Sequence, residues 1–223
     1  MRLSHTALTR RHLLCGSAAC LTTGSALASI PAPPGNRLSF KVIREGKDIG
    51  THRVAFTRNG DVWTIETAID LAVTFGPVTF YRYRHRAEEI WTAGLFTSIS
   101  AETNDDGKAL KVQANRTGRS VAVTSTQSGT YEAPAQALPA THWNRRMIEV
   151  PFINMQTGEL TQPVVSALGT GDVETASGRK INVRRFLIEG PPKLETWYDE
   201  RAAWAGLRFK GKDGSEIAYQ RQD

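Results

Sequence analysis

The chain has 223 residues, with 28 Lys and Arg against 22 Asp and Glu and a formal net charge of +6 at pH 7. Arg2, Arg10 and Arg11 belong to a leader without acidic residues, so the rest carries only about +3, which is too mild and too scattered for a nucleic-acid-binding protein. Both cysteines, Cys15 and Cys20, also lie in the leader, which excludes disulfide and thiol chemistry from the rest of the chain.

The leader occupies residues 1–28. Its three arginines precede an uncharged apolar stretch, Leu13 to Leu27, that ends in the A-x-A cleavage signal Ala26-Leu27-Ala28. Thr9-Arg10-Arg11-His12-Leu13-Leu14 resembles a twin-arginine motif, which predicts export to the periplasm by the twin-arginine machinery and cleavage near Ala28. The apolar run is too short, and too rich in Ser, Gly and Thr, for a bilayer span, so no transmembrane segment is expected in the mature protein. Ser17-Ala18-Ala19-Cys20 resembles a lipobox that lacks its usual Leu. The alternative it offers is a lipoprotein anchored at Cys20.

Residues 29–37 form a Pro-rich tether, expected to be mobile. Residues 38–223 read as a single β domain. Leu38, Phe40 and Val42 alternate with polar residues, as do His52, Val54 and Phe56, with a turn at Arg44–Lys47 between the two runs. Arg58-Asn59-Gly60-Asp61 carries the Asn-Gly signal of a hairpin. Trp63, Ile65, Ile69, Leu71, Val73 and Phe75 then share one parity, and Gly76-Pro77 bends the chain. The central stretch, Phe80 to Gly107, predicts two long antiparallel strands meeting at Thr92-Ala93-Gly94, with a second turn at Asn104-Asp105-Asp106-Gly107.

Further strands are predicted around Leu110–Ala114 and Val121–Val123, before a Ser/Thr/Gly/Pro-rich stretch. Pro139 to Ile148 is the one good helix candidate, with Thr141 as N-cap and Trp143, Met147 and Ile148 on one face. Strands follow at Val164–Leu168, Ile181–Ile188, Leu194–Tyr198, Trp204–Lys210 and Glu216–Gln220. The sum is a mainly β protein: one curved antiparallel sheet or open half-barrel of roughly ten strands, with a short helix packed in or on it.

The segments Gly46–His52, Tyr81–Trp91, Thr103–Gly107, Thr141–Asn144, Gln156–Gly158 and Thr196–Asp199 together resemble the exported proteobacterial family known as domain of unknown function 6134. That resemblance runs from about Leu38 to Gln222 and implies no activity. The ending, Trp197-Tyr198-Asp199 with Trp204, Leu207, Phe209 and Asp213-Gly214-Ser215, is similar to the last hairpin of periplasmic lipoprotein-carrier-like folds. This second similarity implies a curved sheet folded over a helical plug, with an apolar concavity.

Tyr81, Tyr83 and His85 share one face of a strand, and Arg82, Arg84 and Arg86 share the other. The first face can line a ligand site, with Glu88 or Glu89 as partner of His85, or it can be ordinary core with the arginines in water. The loss of alternation at Ala87-Glu88-Glu89 predicts a bulge. Trp63, Phe75, Trp91 and Trp143 complete the expected apolar lining, for an apolar or lipid-like small molecule. His52 shares parity with Val54 and Phe56, as a core histidine would. His52, His85 and His142 lack tight ligand spacing, so neither metal nor cofactor is expected. Asn104–Gly107 lacks the ligand periodicity of a calcium loop, and no G-x-S-x-G elbow is present. Three functions remain open: a non-catalytic binding or carrier protein, a small hydrolase or isomerase using a His85/Glu acid–base pair, and a structural partner in an envelope complex.

Overall fold

The structure, a computed structural model, describes residues 30–190 and 192–222. The leader, with its twin-arginine motif, cleavage signal and Cys20, lies outside the described residues. Eight strands follow one another first: β1 (Arg37–Arg44), β2 (Lys47–Asn59), β3 (Val62–Phe75), β4 (Val78–Thr92), β5 (Leu95–Asp105), β6 (Lys108–Arg116), β7 (Ser120–Ser125) and β8 (Gly129–Pro134). Three two-residue strands come next: β9 (Leu138–Pro139), β10 (Phe152–Ile153) and β11 (Leu160–Thr161). The chain ends with β12 (Val164–Glu174), β13 (Lys180–Glu189), β14 (Leu194–Asp199), β15 (Trp204–Lys210) and β16 (Glu216–Arg221).

Thirteen of these strands form one antiparallel sheet, in the order β12-β13-β14-β15-β16-β1-β2-β3-β4-β5-β6-β7-β8. The last strand pairs with the first, which brings the C-terminal half beside the N-terminal half. The sheet is open: β12 and β8 are its edges. Thirteen strands replace the roughly ten expected: twelve coincide with segments that read as strands, and the thirteenth, Gly129–Pro134, pairs without showing apolar alternation.

Five two-residue turns join β1 to β6. Glu45-Gly46, Ala93-Gly94 and Asp106-Gly107 have positive φ at both positions, the mirror-image turn whose twist matches that of the strands. At the second hairpin the turn is Gly60-Asp61, with Asn59 still paired to Val62.

Residues 135–163, which include the small β9–β10–β11 sheet, cover the inner face. This segment meets Trp204 on β15 through His142, Phe56 on β2 through Trp143, and Tyr131 on β8 through Gly158. In a flat sheet, nine strand spacings of about 4.8 Å would put β15 and β8 roughly 43 Å apart. The sheet must therefore curl around the segment. The core between them includes Phe40, Val42, Ile65, Trp91, Val112, Trp143, Met147 and Ile153, all buried.

The predicted helix is not formed. One 3-10 turn, Arg145–Ile148, stands in its place, and its N-cap is Asn144, whose side chain accepts from the Arg146 amide. Trp143, Met147 and Ile148 are buried as expected. The Pro-rich segment is also docked instead of free: Ile30 and Pro33 are buried, and Pro34–Asn36 makes a 3-10 turn that leads into β1. Among the described residues no helix is long and apolar enough to cross a membrane.

Candidate functional site

β4 presents Tyr81, Tyr83, His85, Ala87, Glu89 and Trp91 inward and Arg82, Arg84, Arg86 and Glu88 outward, with alternation unbroken throughout. The bulge expected at Ala87–Glu89 is absent. Register shifts fall at each end of the strand instead, one against Val73/Thr74 of β3 and one at Ile90/Trp91 against β5. Glu88 therefore faces solvent, opposite Glu66 and Ser100, and is no partner for His85.

Glu89 is fully buried. Its Oε2 accepts from Trp91 Nε1 at 2.9 Å, and its Oε1 accepts from Trp143 Nε1 at 3.1 Å. Burial pushes its carboxyl up to about 7, while the two indole donors and the Thr141 hydroxyl pull the other way. Trp91 and Trp143 lie edge to face, 5.4 Å apart, and Trp143 also meets the Phe56 ring at 5.2 Å. One carboxylate thus ties the covering segment to the sheet.

His85 is 3% exposed, and its Nδ1 lies 2.8 Å from Thr103 Oγ1, directly across the β4–β5 ladder. Burial, helped by the charge of Arg86, pulls its pKa down to about 4. It stacks on Tyr83, whose hydroxyl donates to Gln156 Oε1 at 3.1 Å. Tyr81 donates to Asp105 Oδ1 at 2.6 Å. Burial raises the pKa of both tyrosines. Glu89 bonds to the two indoles and the Thr141 hydroxyl, and His85 to Thr103, so the acid–base pair considered for a hydrolase is not assembled.

His52 shares a row with His85, with Ile69 of β3 between them. It packs against Phe40, Trp204 and Tyr219 as a core residue. Burial first, and then His142 and His85, pull its pKa down to about 3. His142 stacks on the same Trp204 and is pulled down to about 4 by burial. Neither His52 Nδ1 nor His142 Nδ1 has a hydrogen-bond partner among the described residues. Those residues contain no group of three or more His, Cys, Asp or Glu that could hold a metal ion.

The expected apolar lining is only partly assembled. Trp91 and Trp143 are core, and Trp63 is half-buried beneath the Arg58 guanidinium. Phe75 is 76% exposed at a hairpin tip and lines nothing inside. Thr103, Gln156, Asp105 and Trp204 complete the inner network, and no sequence spacing pointed to them. Of two grooves, about 440 and 590 Å³, the first lies where β3 and β4 part from β2 and β5 and includes Tyr83 and Leu71 in its lining, and the second lies along the outward residues of β2 to β5. The first is flanked by Asp70, Arg82 and Arg84 and the second by Arg53, Glu66 and Glu88, and neither reaches His85 or Glu89.

The fold is similar to that of a crystallised protein from Brucella abortus, described as a beta-barrel-like protein of domain of unknown function DUF1849. The TM-score is 0.59 at 9% identity, over 84% of this chain and 95% of that one. No curated protein matches the chain. The family model described as Domain of unknown function (DUF6134) matches residues 40–222, nearly the whole sheet and its covering segment, and the chain belongs to that family.

Proposed function

We propose that this is an exported, non-catalytic binding protein of the periplasm that acts through its exterior, as a partner within the envelope. The observation that carries this reading is the filled concavity. Trp143 of the covering segment is 2% exposed and sits on Glu89, Trp91 and Phe56, where a carrier of apolar molecules would seat its cargo. A second reading, as a carrier, draws on the Nδ1 atoms of His52 and His142, both packed against Trp204 and without a partner among the described residues. A polar-headed apolar ligand that displaced the covering segment could bond there.

Native mass spectrometry with lipid extraction, on protein released from the periplasm, separates the two. The expected result is the mass of a chain cleaved near Ala28, without a bound molecule. One equivalent of lipid would replace the exterior reading with the carrier. A chain found only as cytoplasmic precursor would remove export.

A further inference from the structure

β3 and β4 are the longest strands of the sheet, at 14 and 15 residues, and their joined ends run on past their pairing with either neighbour. Pairing with β2 stops at Leu71, opposite Gly50, and pairing with β5 stops at Tyr83, opposite Asp105. The Asp106 amide donates to the Arg82 carbonyl and the Arg82 amide to Asp106 Oδ1, but beyond them Val73–Phe75 and Val78–Tyr81 pair only with each other. A two-stranded ribbon closed by Gly76-Pro77 thus runs about four residues, roughly 13 Å, past its last pairing with either neighbour, and it parts from the β1–β2 hairpin, which continues to Lys47.

The ribbon carries Phe75 at 76% and Phe80 at 65%, the two most exposed large apolar side chains among the described residues, with Val78 at 52%. Phe80 is the extra residue of the β3–β4 bulge. From residue 72 to residue 84 there is no acid. Directly behind the tip stand two exposed arginines. Among the described residues the Arg82 guanidinium has only a 3.4 Å contact with Thr79 Oγ1, and the side chain of Arg84 is 73% exposed, 3.3 Å from Asp70. Tyr81 and Tyr83 alternate with them on the other side of the strand.

We propose that this tip docks on a lipid bilayer surface bearing anionic phospholipid headgroups. This deepens, and rests on, the exterior reading of the function. Phe75, Val78 and Phe80 would enter the interfacial region, while the guanidiniums of Arg82 and Arg84 meet phosphate oxygens that they suit as bidentate donors. Tyrosine and arginine just behind an apolar tip match the polarity gradient at a membrane surface. Other occupants fit less well. The bulge at Phe80 and Pro77 at the turn spoil the ribbon as a template for an added strand. A symmetric pairing of two copies through their tips would bring the arginines of each copy together, with Asp70, Asp105 and Asp106 already engaged within their own copy.

Vesicle flotation of the periplasm-released protein tests the proposal, using 3:1 phosphatidylethanolamine:phosphatidylglycerol against pure phosphatidylcholine. The protein is expected to float with the first vesicles and not with the second. The Phe75→Ser/Phe80→Ser variant should lose at least about tenfold in partitioning while keeping its near-ultraviolet circular dichroism, because neither ring is in the core. Arg82→Gln/Arg84→Gln should lose binding to the anionic vesicles and flatten its salt dependence. The proposal is overturned if the wild type floats with neither vesicle, or if the serine variant floats as well as the wild type. A concentration-dependent dimer abolished by the serine variant would also overturn it and assign the tip to a second copy. A ligand-free mass spectrum with no flotation would leave the exterior reading standing without this partner. A lipid-loaded spectrum would remove that reading whatever the vesicles do.

Discussion

Glu89 is the residue on which sheet and covering segment meet. It holds one indole from two positions along its own strand and another from 54 positions away. Each oxygen of the ionised carboxylate accepts one N–H, so both donors are satisfied by a single buried group. Glutamine offers only one oxygen, and its amide nitrogen would face the second indole as donor against donor. Glu89→Gln is therefore expected to lose about 1–3 kcal/mol in urea denaturation, with altered tryptophan emission. Glu88→Gln, one residue away and exposed, should change stability by less than about 0.5 kcal/mol. Equal effects from the two substitutions would remove Glu89 from this role. The parity of β4 was legible in the sequence at Tyr81, Tyr83 and His85. A glutamate on an apolar face breaks the hydrophobic pattern, however, so the same period was not carried through to Glu89. Its distant indole partner leaves no trace in local spacing.

At the scale of elements, the hairpins were legible because two-residue turns demand positive φ, and a glycine supplies it in each of the five: Gly46, Gly60, Gly76, Gly94 and Gly107. β1 to β6 follow those turns nearly residue for residue. The covering segment was not legible. Trp143, Met147 and Ile148 are spaced as on a helix, but Trp143 precedes the single 3-10 turn, and the remaining order comes from tertiary contacts. Those contacts concentrate at Gly158. Tyr131 Oη donates to its carbonyl at 2.6 Å, and Ser125 Oγ donates to the Thr157 carbonyl at 2.6 Å. Gly158 has a φ of 74°, and a Cβ there would stand 2.4 Å from the Ser125 Cβ. Gly158→Ala is expected to cost about 2 kcal/mol or more, from overpacking together with a strained backbone. Hydrogen exchange should quicken across residues 135–163 while β1 to β4 stay protected. A uniform loss of protection would mean that this pin is no more local than the rest of the core.

At the scale of the whole molecule, the buried titratable groups pull stability in opposite directions with pH. Glu89 titrates at about 7 in the fold, above its ordinary value, so its contribution is full in acid and is lost as pH rises through 7. The three imidazoles are held neutral, with His52 at about 3 and His85 and His142 at about 4. Their contribution is full above an unfolded value of about 6.5 and is lost as pH falls toward those folded values. Near pH 5 the unfolded chain binds nearly three more protons on these histidines and about one fewer on Glu89. Unfolding there takes up about two protons net, and stability should climb with pH by about 2–3 kcal/mol per unit between roughly pH 4.5 and 5.5, then level off toward 7. Urea denaturation at half-unit pH steps measures this slope directly. His85→Gln keeps a polar partner for Thr103 but cannot titrate, and it should reduce the slope by about one proton whatever it does to stability at pH 7. A slope of opposite sign, or one that His85→Gln leaves unchanged, would mean that the inner face admits enough water to let these imidazoles charge in the folded protein. The exterior reading of the function would then lose the filled concavity on which it rests.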